Sequence, residues 1–240
     1  MMLDDLRALL AHTPVGAKRS EYVTAVVTEN ALGKPTKSAR ELALRHLATL
    51  YGLDPANAIF RLLRRLWPLE ESAQPILALT VALARDPLLR GSQEFFLAQP
   101  LGSVVARESV EAFLDSTYPN RFSPASLKSF AQNVAGTWTA AGVLSGRMRK
   151  VRATPTATPE VVTMLLFLGY LEGRTGQRLF SSAWVDLLGV SVDELEALTT
   201  SASNRGLLTF MNAGGVKEVR FPGYLTLEEE QIRQEAAHVI

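Results

Sequence analysis

Four cations crowd into six positions of the stretch GRMRKVRATP (residues 146–155): Arg147, Arg149, Lys150 and Arg152. No carboxylate lies among them, and the chain holds no Asp or Glu from Ser116 to Pro159, a window to which Arg121 and Lys128 add further positive charge. Guanidinium and ammonium groups at this density are suited to holding phosphate oxygens by charge-assisted hydrogen bonds. The whole chain has a formal net charge of only +1. It is therefore the segregation of charge, not its sum, that suggests an anionic partner. A plainer explanation stands beside this one, because Lys and Arg also keep the exposed edge of a hairpin from pairing with other chains.

The segment before these cations must position them. Ser123-Pro124 is a cap-plus-proline helix start, and Leu127, Phe130, Ala131, Val134, Trp138 and Ala141 then recur at helical spacing up to Gly142. Opposite that apolar stripe lie Lys128, Ser129, Gln132, Asn133, Gly136 and Thr139. Short and amide side chains of this kind hydrogen-bond base edges, and a lone cation among them suits a phosphate. After Gly142 the period changes: Val143 to Ser145, a turn at Gly146, and Arg147 to Arg152 read as two short strands. With a helix expected over about 105–117, the order helix, helix, hairpin is that of a winged helix, with GRMRKVR as its wing.

A second basic window runs from Asn30 to Leu69. Within it, Ser38 to Glu41 has the form of a capping box, Gly52 closes the helix, and Asp54-Pro55 opens the next, which ends before Pro68. Such a helix pair is a helix-turn-helix candidate. Arg61, Arg64 and Arg65 lie at i, i+3 and i+4 on its second helix. They are suited either to phosphate or to the acidic segments of this same chain.

The helix–helix–hairpin order recurs towards the C-terminus. Ser182 to Leu188, the turn Gly189-Val190, a capping box over Ser191–Glu194, and strands at Leu207–Asn212 and Val216–Phe221 make up the second unit. Its second helix begins with Asp193, Glu194 and Glu196, which suit the helix dipole but oppose a polyanion. This unit is expected to be mainly structural, with Lys217 and Arg220 as auxiliary contacts at most. The expected fold class is mainly α with small β-hairpins: a helical N-terminal domain (1–100), two tandem winged-helix-like units (101–156 and 157–223) and an acidic tail (224–240) carrying Glu228, Glu229 and Glu230.

Other chemistry lacks carriers. There is no cysteine, and His12, His46 and His238 have no partners at ligand spacing, so neither metal nor cofactor is expected. No phosphate loop, dinucleotide fingerprint or nucleophile elbow occurs. Glu108, Glu111 and Asp115 share a helix face that reads as solvated surface. The expectation is a protein that is not an enzyme. MMLDDLRALL has no basic n-region, and the apolar run Val161–Leu171 is about half of the ~20 residues a membrane span needs, so a cytoplasmic, membrane-free protein with a core helix at that run is expected.

Several segments resemble a known family. DPANAIFRLLRRLWP, ILALTVALARDPLLR, RFSPASLKSFAQNVAGTWTAAGVLSGRMRKVRATP, LFLGYLEG and GGVKEVRFPG are similar to the BrxA family of bacteriophage exclusion (BREX) defence systems, over about residues 20–223. The resemblance implies a non-enzymatic accessory protein that binds double-stranded DNA and acts beside a site-specific methyltransferase, an ATPase and a phosphatase-like protein. The same family has been likened to an RNA-binding antitermination factor, so RNA stays open as a ligand, as does a scaffold that docks acidic partner subunits.

Overall fold

The computed structural model describes residues 1–238, and residues 239–240 of the expected acidic tail lie outside the described residues. The chain forms α1 (Leu3–His12), α2 (Arg19–Val23) continued by a π turn over Thr24–Thr28, α3 (Lys37–Tyr51), α4 (Ala58–Leu66), α5 (Gln74–Arg85), α6 (Pro87–Gly91), α7 (Gln93–Leu97), α8 (Arg107–Thr117) and α9 (Pro124–Ala140). The hairpin β1 (Leu144–Ser145) and β2 (Val151–Arg152) follows, then α10 (Pro159–Leu171), short 3-10 turns over Gly176–Ser181 and Val185–Leu187, and α11 (Val192–Asn204). A second hairpin, β3 (Thr209–Ala213) and β4 (Val216–Arg220), precedes α12 (Leu227–His238). The molecule is mainly helical with two small antiparallel hairpins, as the patterning predicts.

The middle of the chain organises the rest. Val161 to Leu168 on α10 are all buried, and α10 packs on α4, α5 and α11. The longest apolar run is thus a core helix, and among the described residues no helix is long and apolar enough to cross a membrane. Leu62, Leu63 and Leu66 of α4, the apolar residues of α5, and Trp138 of α9 belong to the same core cluster. The stretches read as separate units from sequence therefore share one apolar interior.

Local starts differ from the sequence expectation where a nearer side chain takes over the cap. Thr36, not Ser38, caps α3, its hydroxyl accepting from the Ala39 N–H at 3.1 Å. Asp54 does not open α4 but accepts from Ala56 N–H at 2.9 Å within a turn. The Asn57 side-chain oxygen caps the helix instead, accepting from Ile59 and Phe60 at 3.0 and 3.2 Å. The link between α3 and α4 is accordingly longer than a three-residue turn, and both helices pack on α5. Ser123 and Ser191 cap α9 and α11 as expected.

Candidate nucleic-acid interface

The position of α9 is set by one aromatic anchor. Trp138 is fully buried, stacks on Phe96 at 5.1 Å between centroids, and donates its indole N–H to the Ser92 hydroxyl at 2.9 Å. Burying that ring fixes which face of α9 turns inward, and Ala131, Val134 and Ala135 follow it into the core. Lys128, Ser129, Gln132 and Asn133 are left exposed, with Gly136 and Thr139 half-buried.

The hairpin grows from the end of α9. Gly142 takes a φ of 80°, and Leu144 pairs with Arg152 and Ser145 with Val151. The strands are shorter than expected, so Arg147, Met148, Arg149 and Lys150 lie in the connecting loop and not in a strand. A third segment, Gly102–Val105 at the start of the expected 101–156 unit and just ahead of α8, pairs with β2. Gly102 N–H donates to Arg152 O, Arg152 N–H to Ser103 O and Val105 N–H to Lys150 O, each at 2.9 Å. The signal was Val104-Val105, a β-branched pair behind Gly102-Ser103. This pairing covers the edge of β2, so the loop cations are not needed to guard it.

The cations of the opening stretch divide sharply. Arg147 and Arg149 are exposed and form no ion pair or side-chain hydrogen bond among the described residues. Lys150 is half-buried and donates from Nζ to the Thr139 hydroxyl at 2.9 Å, which ties the hairpin to α9. Arg152 corrects the expectation of a phosphate contact. It is only 6 % exposed, and its guanidinium donates to the backbone carbonyls of Val143 and Ala153. Burial lowers its pKa, and its role is to brace the hairpin stem.

The stripe on α4 divides in the same way. Arg64 is 4 % exposed and donates to Leu10 O at 3.0 Å and Thr13 O at 2.7 Å, satisfying carbonyls at the C-terminal end of α1. Arg61 reaches Glu229 of α12 at 2.5 Å and also donates to the carbonyls of Pro55, Ala56 and Tyr224. Arg65 is exposed and lies 4.6 Å over the Tyr224 ring. Of the two readings open from sequence, pairing with the chain's own acidic segment describes Arg61.

Across from α9 the surface is not as free of acid as the helix itself. Gln132, Asn133 and Gly136 line a cleft of about 940 Å³ whose other wall carries Asp4, Asp5, Lys34, His46 and Asp86. Asp5 pairs with Lys34 at 2.7 Å, and Asp86 caps α6. Lys128 and Ser129 lie outside that lining. From Lys128 to Thr139 the helix rises roughly 16 Å at about 1.5 Å per residue.

The second hairpin carries its charge differently. Lys217 is paired with Glu196 of α11 and lies 4.8 Å over the Phe180 ring, and Arg220 pairs with Glu218 at 2.6 Å. On α8, which packs on α9, Arg107 pairs with Glu108 and Glu111 at 2.7 and 2.8 Å, and Glu108 lies close enough to Lys128 to feel its charge. Among the described residues no group of His, Cys, Asp and Glu is arranged to hold a metal ion.

No family model, curated protein or solved structure matches the chain.

Proposed function

We propose that this protein is a non-enzymatic accessory factor that binds double-stranded DNA, gripping phosphates with Arg147 and Arg149 on the β1–β2 loop and with Lys128 and Ser129 on α9. The observation that carries the reading is the contrast between hairpins. Arg147 and Arg149 have no carboxylate partner among the described residues, whereas Lys217 and Arg220 are each paired to a glutamate. An exposed, unneutralised guanidinium pair is the arrangement that gains most from a phosphate backbone.

The order α8, α9, hairpin, with Gly102–Val105 alongside β2, supports a winged-helix-like reading in which the hairpin is the wing. Gln132 and Asn133 take a lesser part, because they face a cleft with carboxylates on its far wall. The sequence resemblance to the BrxA family supports a setting in phage defence, in the cytoplasm, beside a methyltransferase, an ATPase and a phosphatase-like protein.

Titrating the purified protein with duplex DNA, single-stranded DNA and structured RNA at two salt concentrations tests the ligand class. The expected order is duplex DNA first, with steep loss of affinity as salt rises. Preference for RNA, or binding indifferent to salt, would replace this reading.

A further inference from the structure

The tip of the β1–β2 loop presents an apolar side chain where solvent would favour a polar one. Met148 is 94 % exposed, more than any other large apolar side chain among the described residues. On either side of it stand Arg147 and Arg149, exposed and without side-chain partners among the described residues. Nothing in the fold packs on Met148, so its exposure has no internal structural purpose.

The tip is braced from beneath. Gly146 has a φ of 89°, and a Cβ there would lie 2.1 Å from the Arg149 carbonyl oxygen, so the loop closes tightly at its base. Below that, Arg152 is bonded to Val143 and Ala153, Lys150 to Thr139, and β2 to Gly102–Val105. A narrow, braced projection ending in cation, thioether, cation is the result.

This chemistry fits one DNA surface better than another. The minor groove is about 6 Å wide, too narrow for a helix but open to a hairpin tip. Over A·T sequence it narrows further, and its enhanced negative potential draws in arginine side chains. Proteins that enter it commonly press an apolar side chain between base steps, and an unbranched, polarisable methionine adapts to such a gap. A tip that met only phosphates would leave Met148 in water.

We propose that Arg147-Met148-Arg149 enters the minor groove of duplex DNA, the arginines reaching the phosphates that wall the groove and Met148 acting as a wedge against a flexible base step. The inference rests on the duplex-DNA reading above and specifies the groove and the role of the tip.

The test uses the full chain and a short A·T-rich duplex with 2-aminopurine beside its TA steps. The wild-type protein should raise the 2-aminopurine fluorescence and be displaced by netropsin, a minor-groove ligand. Met148→Ala, at a position with no packing to lose, should retain affinity close to the wild type but lose the fluorescence rise. Binding that is insensitive to netropsin, or a fluorescence rise that survives Met148→Ala, would overturn the wedge and leave the duplex reading standing. Absence of binding to any duplex at low salt would overturn both.

Discussion

Lys150 donates its ammonium to the hydroxyl of Thr139 at 2.9 Å, joining the hairpin loop to the last turn of α9. The two residues come from the basic stretch and from the polar face of the preceding helix, which the sequence treats as separate features. Their bond makes one surface of them and sets the angle at which Arg147 and Arg149 are presented.

Thr139→Val isolates that angle from charge, since it removes the hydrogen bond and leaves every cation in place. A bond of this kind contributes about 0.5–1.5 kcal/mol net. Duplex affinity, measured by fluorescence anisotropy, should fall by roughly twofold to tenfold. The thermal midpoint should fall by no more than a few degrees.

The two hairpins should respond unequally to loss of charge. Arg147→Ala with Arg149→Ala removes two unpaired guanidiniums, and affinity for duplex DNA should drop at least about tenfold, as expected for charge-assisted bonds to phosphate. Lys217→Met with Arg220→Ala acts on cations already engaged by Glu196 and Glu218. Its affinity should stay within about threefold of the wild type, because rim charges of this kind contribute mainly to steering. Equal losses in a gel-shift comparison would remove the asymmetry between the units.

Arg64 should behave as a stability residue. Its guanidinium is buried and serves the carbonyls of Leu10 and Thr13, and burial lowers its pKa. Arg64→Met strands those carbonyls in the interior, and urea denaturation should show a loss of about 2–4 kcal/mol. The folded variant should still bind duplex DNA as the wild type does.

The docking of α12 should depend on acid. Hydrogen bonding from Arg233, with further bonds from Tyr170 and Gln234, outweighs partial burial and holds the Glu230 carboxyl at about 2. A folded-state value below the ordinary glutamate value means that its contribution is present above about pH 4.5 and is lost as pH falls towards 2. The Tyr170 hydroxyl donates to Glu230 at 2.7 Å, and its ring lies 3.8 Å beneath Arg233, so tyrosine near-UV circular dichroism reports the change. The wild type should show a transition in that window that Glu230→Gln lacks.

Much of this architecture is legible in the residues, because periodicity and capping are local. The stripe from Leu127 to Ala141, the stop at Gly142 and the strand pair around Gly214-Gly215 all follow from neighbours in sequence. What is not legible depends on distant partners. Arg64 and Arg65 are adjacent and alike in type, yet one is buried against α1 and the other lies over Tyr224. Nor does a count of charge distinguish Arg152, which braces a stem, from Arg149 three residues earlier, which meets water. The cleft wall opposite Gln132 comes from the first residues of the chain and from Asp86, which no helical wheel of α9 includes.

The central claim is that the loop arginines contact phosphates, and the salt dependence of duplex binding addresses it most directly. Each phosphate neutralised contributes about 0.9 to the slope of log K against log salt. Removing Arg147 and Arg149 together should make the slope shallower by about 1.8. Parallel lines for the wild type and the double variant would mean that these guanidiniums never meet the backbone, and the account would be wrong.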